Sequence, residues 1–413
     1  MRKSFLCSIS ILLGISGLVA TGMAQTRTPV VLFPGWHAVK LQVTVQNQTV
    51  VPECPESGTF EDWLLCDQPS EFSQICRDKL TTLVYKRQPF VPVSQRFSEQ
   101  PGVTVTIKDY GKTESNPLYE GFYLFLETNG YTRNLDIRVA GYDARLTPDM
   151  GGFLERTIDL IEQTYADNGN TPVHLVGHSN GPLYAQYLLT HTSQAWKDKY
   201  IHGFTPIAGN WPGQGWLYSL LFTGFNVNDV SYPADTANAR SSALMYQSHP
   251  SSYMSASDPA VFKNEEVVIQ AGPVNYTPQH YRKLFRDAGL ALAEEIGPYY
   301  IGFVRFQQPP YFPNVDVYAE KGSGLETLVG LGLPDLTVGQ LVNDSTQFFF
   351  RLGDNNQEDI TNDSIEVWTK MRCFRFEFTD NPGVGHGDLP SDAGVLGRLL
   401  TNLQRPKSIC VDR

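Results

Sequence analysis

The sequence predicts an α/β fold in which a mostly parallel central sheet is covered by helices on both faces. Two observations support this prediction. Short apolar runs that are typical of buried strands alternate along the chain with segments of helical periodicity. A serine between two glycines also lies where one such strand passes into a helix. Open sheets of this kind bind ligands at the carboxyl ends of their strands, so we expect the functional site there.

The individual elements follow from short apolar runs bounded by turn residues. Strands are predicted at 30–33, 136–142, 173–176, 201–207, 315–318, 347–351 and 374–378. Apolar side chains recur on one helical face over 154–165, and a second helix is predicted over 183–189. We take 347–351 as the penultimate strand of the sheet and 374–378 as the last.

The chain is expected to begin with a signal peptide over 1–24. Arg2 and Lys3 precede an apolar stretch, and Gly22 and Ala24 suit a cleavage before Gln25. A membrane anchor is the competing interpretation, but the stretch is short and is interrupted by serines. We therefore expect an exported protein without a transmembrane segment after cleavage. An acidic compartment of the secretory pathway is the alternative location to the extracellular space.

Residues 25–413 are predicted to form a single domain with two insertions. The strand–helix alternation is interrupted at about 40–100 and at about 210–310, where aromatic, proline and glycine residues are frequent. Such insertions usually lie over the carboxyl ends of the strands, where a sheet enzyme binds its ligand. We expect the second insertion to form a cap.

The composition excludes some classes of function. The sequence holds 43 acidic and 32 basic residues, a formal charge of −11, and removal of the two basic residues before residue 25 gives −13. This balance is unfavourable for a nucleic-acid-binding protein, which needs a basic face. It also disfavours electrostatic attachment to anionic membranes, so apolar contact with a phospholipid or lipoprotein-like surface is expected instead.

The cysteines suggest disulfides and not a metal site. Export permits disulfides, and the spacing of the cysteines matches no zinc pattern. We expect neither a metal nor another cofactor. The mature chain holds an odd number of cysteines, which leaves the pairing open: Cys54, Cys66, Cys76, Cys373 and Cys410. Glycosylation sequons begin at Asn47, Asn275, Asn343 and Asn362.

The sequence GHSNG at 177–181 is the most informative local feature. A serine on a tight turn between a strand and a helix needs small neighbours, and the strand 173–176 and the helix 183–189 supply that context. Pro182 fits the first turn of the helix, where a missing N–H costs little. We predict that Ser179 is a nucleophile.

A serine nucleophile needs a base and an acid that orients the base, and these follow it along the chain in the order acid, then histidine. His386 lies in a glycine-rich loop after the last predicted strand and is the expected base. The acid should follow the strand at 347–351. Spacing alone leaves four candidates there: Asp354, Glu358, Asp359 and Asp363.

Acyl transfer also needs hydrogen-bond donors for the developing oxyanion. The backbone N–H of Asn180, directly after the nucleophile, is one expected donor. We expect the second from the loop after the first strand, where Gly35 allows the backbone to bend and Trp36 follows. The backbone N–H of Trp36 is our prediction for this second donor.

Several collinear motifs resemble one known family. They are VVLFPGWHAVKL at 30–41, YDAR at 142–145, GHSNG at 177–181, QAWKDKYIHGF at 194–204, NYT at 275–277 and VDVY at 315–318. Together they make the chain similar, over about 29–403, to the lecithin:cholesterol acyltransferase and lysosomal phospholipase A family. The resemblance implies an α/β-hydrolase fold, and it implies Ser179 as nucleophile and His386 as base.

The resemblance also implies roles that local sequence leaves open. The family acid begins a D-G-T-V loop, and DITN at 359–362 is the best match, which selects Asp359. Cys54 and Cys76 resemble the disulfide that closes a lid, whose tryptophan, here Trp63, contacts lipid. Ala319 stands where the acyltransferase has a cysteine, so a Cys373–Cys410 pair is expected to replace the second disulfide.

The resemblance implies a secreted serine acyl-hydrolase or O-acyltransferase. It would act through an acyl-enzyme on glycerophospholipid esters and pass the acyl group to water or to a lipid alcohol such as a sterol. Ala144 and NWPG at 210–213 replace larger or different family residues, so the preferred acyl chain and head group stay open. The alternative from another class is a catalytically inactive hydrolase fold that serves as a lipid-binding module.

Overall fold

The chain folds around one wholly parallel sheet, with smaller sheets beside it. A computed structural model describes residues 27–63, 71–226, 233–262, 266–408 and 410. The predicted signal peptide at 1–24 and Cys66 lie outside these residues. The strands are β1 (Val30–Phe33), β2 (Leu41–Val45), β3 (Gly58–Asp62), β4 (Val84–Tyr85), β5 (Phe97–Ser98), β6 (Val103–Ile107), β7 (Ile137–Val139), β8 (Val173–His178), β9 (Ile201–Ile207), β10 (Ile269–Ala271), β11 (Val274–Tyr276), β12 (Val317–Ser323), β13 (Leu325–Leu333), β14 (Gln347–Gly353) and β15 (Phe376–Pro382).

Helices occupy most of the connections between these strands. They are α1 (Gln74–Thr81), α2 (Glu120–Thr128), α3 (Phe153–Asp167), α4 (Gly181–His191), α5 (Gln194–Tyr200), α6 (Leu217–Thr223), α7 (Thr236–Ser248), α8 (Pro250–Met254), α9 (Tyr281–Asp287), α10 (Ala291–Tyr300), α11 (Asp359–Asp363) and α12 (Ala393–Leu403). Short 3-10 turns lie at Val93–Gln95, Thr113–Ser115, Pro117–Tyr119, Pro278–His280, Ser364–Lys370 and Leu389–Ser391. Within the described residues, no helix is both long and apolar enough to cross a membrane.

The central sheet confirms the predicted fold class. Its strand order is β15-β12-β9-β8-β1-β7, and each neighbouring pair is parallel. Alternate side chains of β1 enter two separate cores. Val31 and Phe33 belong to a core that includes residues of α3 and α4, whereas Val30 and Leu32 pack in a core with residues of α2 and α12. Helices therefore cover both faces of the sheet. This explains why β1 is apolar at every position, since each of its side chains is buried on one face or the other.

One predicted strand lies in a different sheet from the one expected. The run at 347–351 forms β14, which pairs antiparallel with β13 at the end of a separate sheet of order β11-β10-β13-β14. The neighbour of the last strand β15 in the central sheet is instead β12. The expectation that 347–351 is the penultimate strand is therefore wrong. After β12 the chain leaves the central sheet and forms the β13–β14 hairpin. The loop that follows this hairpin leads back toward the last strand, β15.

The two predicted insertions contain the remaining small elements. The first includes β2, β3 and helix α1, and β6, just beyond its predicted end, completes the antiparallel sheet β3-β2-β6. The Cys54–Cys76 disulfide lies in the core of this region. The second includes α6 to α10 with β10 and β11. A second disulfide joins Cys373 to Cys410. The side chain of Asn362 is buried, at 1% exposure, so this sequon cannot accept a glycan in the folded protein.

Candidate active site

Ser179 occupies a tight turn between β8 and α4. Its backbone φ is +61°, in the left-handed region that residues other than glycine seldom adopt. The neighbouring glycines allow this turn to pack closely. A Cβ atom on Gly181 would lie 1.9 Å from the carbonyl oxygen of Phe33, and one on Gly177 would lie 2.8 Å from the nitrogen of Pro182. The glycines of the GHSNG motif are therefore required by the packing around the serine.

His386 is held by Asp354. The Nδ1 atom of His386 lies 2.9 Å from Oδ2 of Asp354, and the backbone N–H of His386 donates to the carbonyl oxygen of Asp354 at 2.7 Å. Burial would raise the pKa of the Asp354 carboxyl, but the imidazole and the backbone N–H groups of Asn356 and Gln357 hold that pKa below its ordinary value. The carboxylate is therefore ionised and accepts the Nδ1 proton. This leaves Nε2 of His386 as the basic nitrogen.

The structure corrects the choice of Asp359 as the partner of His386. Asp359 is the first residue of α11 and is half-buried, and the charged group that most affects its carboxyl is Lys321. No hydrogen bond joins Asp359 to His386 in the part of the chain that the structure describes. Asp354 takes the position because it is the first residue after β14, next to the end of β12. Indeed, a Cβ atom on Gly322 of β12 would lie 3.0 Å from Cβ of Asp354.

The loop after β1 lies against the serine. A Cβ atom on Gly35 would lie 3.2 Å from Cβ of Ser179, and the hydroxyl of Tyr142 donates to the carbonyl oxygen of Pro34 at 2.8 Å. The indole of Trp36 points into the core and donates to the carbonyl oxygen of Ala144 at 2.8 Å. Ala144, one of the positions at which the chain departs from the family motif, thus helps to hold Trp36.

Both expected oxyanion donors are available to donate a hydrogen bond to a ligand. Among the described residues, the backbone N–H groups of Trp36 and Asn180 make no hydrogen bond. The side chain of Asn180 is fixed separately, because it donates to Ser255 at 2.7 Å and accepts from Asn210 at 2.8 Å. Unpaired N–H groups beside a serine are the arrangement that an oxyanion hole requires.

Ser179 and His386 line one cavity of about 420 Å³. No hydrogen bond joins the serine hydroxyl to the imidazole within the described residues, a common state of such pairs without substrate. Apolar side chains and the backbone of the β1 loop form much of the wall. Examples are Leu118, Phe122 and Pro390. Polar side chains, among them Asn355, Asn356 and Ser391, form the rest of the wall, so the cavity offers both apolar and polar surface to a ligand.

Two polar residues of this cavity escaped the sequence analysis. Tyr119 and His178 both line it, and the hydroxyl of Tyr119 lies 2.6 Å from Nδ1 of His178. His178 stands directly before the serine in the motif, so its position was visible in the sequence. Tyr119 lies in a 3-10 turn before α2, and no sequence pattern indicated that this turn reaches the nucleophile.

The predicted lipid-contact residue Trp63 lies outside the cavity wall. It is half-buried at the end of β3, and the ammonium of Lys40 stands 5.4 Å from the centre of its ring. Residues 64–70, which follow it, are outside the described part of the chain. A contact of Trp63 with lipid therefore stays a prediction.

The chain is similar in sequence to two kinds of named protein. The chain is 27% identical to the lysosomal phospholipase A and acyltransferase of Mus musculus, over 98% of this chain and 97% of the relative. It is 27% identical to the phosphatidylcholine-sterol acyltransferase of Rattus norvegicus, over 74% of this chain and 69% of that protein. A structure of the Tle4–Tli4 complex covers 92% of this chain and 99% of the matched chain with a TM-score of 0.51, and its 11% identity supports the fold alone.

The parallel central sheet with helices on both faces is the α/β architecture that the resemblance implied. The family model described as lecithin:cholesterol acyltransferase matches residues 81–299, which include α2, the serine turn and most of the second insertion. Since this match spans more than half of the 413 residues, the chain belongs to the lecithin:cholesterol acyltransferase family.

Proposed function

We propose that the protein is a serine-dependent lipid acyl-hydrolase and acyltransferase that works through an acyl-enzyme. The observation that carries the proposal is that His386, which lines the same cavity as Ser179, pairs with a buried, ionised Asp354. The named relatives, a phospholipase A/acyltransferase and a phosphatidylcholine-sterol acyltransferase, support glycerophospholipid esters as the acyl donors.

In the first step, Nε2 of His386 takes the proton of the Ser179 hydroxyl while the serine oxygen attacks the ester carbonyl. The backbone N–H groups of Trp36 and Asn180 stabilise the negative charge on the carbonyl oxygen. Asp354 keeps the proton of His386 on Nδ1 and stabilises the imidazolium that forms. The imidazolium then protonates the departing alcohol, and an acyl-serine remains.

In the second step, His386 takes a proton from an acceptor, and the acceptor oxygen attacks the carbonyl carbon of the acyl-serine. The bond between that carbon and the serine oxygen then breaks, and the imidazolium of His386 returns the proton to Ser179. Water gives a free fatty acid, which is phospholipase A activity, and a lipid alcohol such as a sterol gives a new ester. The cavity wall contains both apolar and polar groups and is compatible with either acceptor.

We further propose that the mature protein is one exported domain. The Cys54–Cys76 and Cys373–Cys410 disulfides support an oxidising compartment. The extracellular space and an acidic lumen of the secretory pathway both satisfy this condition. In this proposal the first insertion acts as the lid, and Trp63 contacts the lipid surface that presents the substrate.

A fluorophosphonate probe tests the enzymatic proposal. The folded wild-type protein should be labelled covalently, whereas Ser179→Ala should not be labelled and should have no esterase activity. Ser98→Ala, which removes an exposed serine of β5, is the matched control and should behave as wild type. Absence of labelling in folded wild-type protein would favour the catalytically inactive lipid-binding module.

The acyl acceptor is identified with vesicles of acyl-labelled phosphatidylcholine, with and without a sterol. Labelled fatty acid in both preparations would define a hydrolase. Labelled sterol ester in the second preparation would define a sterol acyltransferase. Unchanged phospholipid, together with probe labelling of Ser179, would direct the search to other lipid esters.

A further inference from the structure

We propose that Tyr119 and His178 are positioning residues that join three loops of the active site through one chain of hydrogen bonds. The loops are the one after β1, the serine turn, and the loop that carries His386. This inference rests on the proposed function, because it assigns these residues to the acyl transfer at Ser179.

The direction of each hydrogen bond follows from the chemistry of the groups. Nε2 of His178 lies 2.9 Å from the carbonyl oxygen of His386, and since a carbonyl oxygen only accepts, Nε2 is the donor. In the neutral imidazole, Nδ1 of His178 is then an acceptor. It accepts a hydrogen bond from the Tyr119 hydroxyl at 2.6 Å. That hydroxyl oxygen in turn accepts from the backbone N–H of Gly35 at 2.9 Å.

Each end of this chain of hydrogen bonds is adjacent to a proposed catalytic group. Gly35 precedes Trp36, whose N–H is a proposed oxyanion donor, and the other end is the backbone carbonyl of the proposed base His386. The central residue, His178, precedes the nucleophile. A position error of about 1 Å among such groups can lower the rate about 100-fold. The hydrogen bonds therefore fix the distances on which the proposed reaction depends.

Both side chains are suited to positioning and not to proton transfer. Burial, together with the neighbouring His386, lowers the pKa of His178 to about 3, so the imidazole stays neutral at ordinary pH. Burial also raises the pKa of the Tyr119 hydroxyl, so it keeps its proton. The hydrogen bonds therefore keep one direction throughout the pH range in which the enzyme would work.

Helix α2 offers a matched control. Tyr123 lies one helical turn after Tyr119 and is fully buried, and its hydroxyl has no hydrogen-bond partner among the described residues. Tyr123→Phe removes the same atom as Tyr119→Phe without removing a hydrogen bond. Tyr119→Phe leaves the buried N–H of Gly35 without an acceptor and leaves Nδ1 of His178 without a donor.

The test measures kcat and KM on a soluble short-chain ester for wild type, Tyr119→Phe, Tyr123→Phe, His178→Phe and the double variant Tyr119→Phe/His178→Phe. We expect Tyr119→Phe to lower kcat roughly 10-fold with little change in KM, because positioning acts on the transition state. Tyr123→Phe should retain the wild-type kcat. In the His178→Phe background, adding Tyr119→Phe should cost less than about 2-fold, because the shared chain of hydrogen bonds is already broken.

His178→Gln, which keeps one donor and one acceptor, should lose less activity than His178→Phe. If His178→Phe does not fold, as judged by circular dichroism, the Tyr119→Phe and His178→Gln results decide alone. A wild-type kcat for Tyr119→Phe, an equal loss in Tyr123→Phe, or fully additive losses in the double variant would overturn the inference. These outcomes concern enzyme that is active and labelled at Ser179, whereas absence of labelling in wild type counts against the proposed function itself.

Discussion

Asp354 and Glu358 lie four residues apart in one loop, and both are fully buried. The pKa values of their carboxyl groups are nevertheless shifted in opposite directions. The pKa of Asp354 lies below its ordinary value. The pKa of Glu358 is raised. The two side chains have the same chemistry and nearly the same exposure, so burial alone does not explain the difference.

The difference comes from the groups that each carboxyl faces. Asp354 meets the imidazole of His386 and accepts two backbone N–H groups, which favour its charged form. Burial raises the pKa of Glu358, and the donors that it meets, the N–H of Gly215 at 3.2 Å and the hydroxyl of Thr361 at 3.4 Å, do not offset this effect. Its carboxyl also lies against the buried carboxyl of Glu266. Burial and the neighbouring carboxyl raise the pKa of Glu266 as well. Two buried acids that face each other keep a proton between them.

This comparison teaches that burial raises the pKa of an acid unless the groups that it faces favour the charged form strongly enough to outweigh burial. A catalytic acid of this type must be ionised, because it stabilises an imidazolium. Of these two acids, only Asp354 satisfies that condition. Glu358 was one of the four candidates from spacing, and its surroundings suit it to holding a proton.

The largest expected effect is that of Asp354→Asn. The amide no longer stabilises the imidazolium and favours the wrong tautomer of His386, so kcat should fall about 1,000- to 10,000-fold. Steady-state kinetics on a short-chain ester measure this loss, and thermal unfolding verifies that the variant is folded. A variant that retains more than a tenth of the wild-type kcat would show that another acid performs the role.

A smaller effect is expected from Glu358→Gln, on stability. The native pair of Glu358 and Glu266 keeps a proton that the unfolded chain releases above about pH 4.5, the ordinary glutamate value. Because the native state then binds more protons than the unfolded state, the pair reduces the free energy of unfolding as the pH rises. Glu358→Gln removes the repulsion, so the variant should lose less stability than wild type between pH 5 and 8, by about 1 kcal/mol.

Urea unfolding at several pH values measures this difference. Glu326→Gln, which neutralises an exposed glutamate of β13, is the control and should follow the wild-type curve. If Glu358→Gln and wild type show the same pH dependence, the two carboxyls do not share a proton.

The smallest expected effect is that of Asp359→Asn. Burial raises the pKa of the Asp359 carboxyl, which Lys321 partly offsets, and the side chain makes no hydrogen bond to His386 in the described structure. We expect kcat to change less than about 3-fold, as for substitutions away from reacting groups. The same ester assay applies. A loss comparable to that of Asp354→Asn would restore Asp359 as the acid.

The sequence predicted the serine turn well because its signals are local. The strand before Ser179 and the helix after it were found from apolar patterning, and the glycines are required by direct backbone contact. The loop of His386 was also found, because it follows the last strand. In each case the residue and the element that positions it are neighbours along the chain.

The residue that pairs with His386 was missed because its position depends on sheet topology. Apolar patterning identified 347–351 as a strand but could not show that it pairs with β13 outside the central sheet. The similarity of 359–362 to a family loop then outweighed the simpler signal that Asp354 is the first acid after the strand. Tyr119 was missed for a related reason, since its contact with His178 joins residues 59 positions apart.

The β13–β14 hairpin has a consequence for how this enzyme can change. Leu325, near its start, pairs with Gly353, which directly precedes Asp354. The chain therefore leaves the central sheet and returns to nearly the same point. Changes in length at the distant turn, for example at the exposed residues Asp344 and Ser345, need not move Asp354. The hairpin is thus a segment in which new surface can be acquired or lost while the geometry at His386 stays constant.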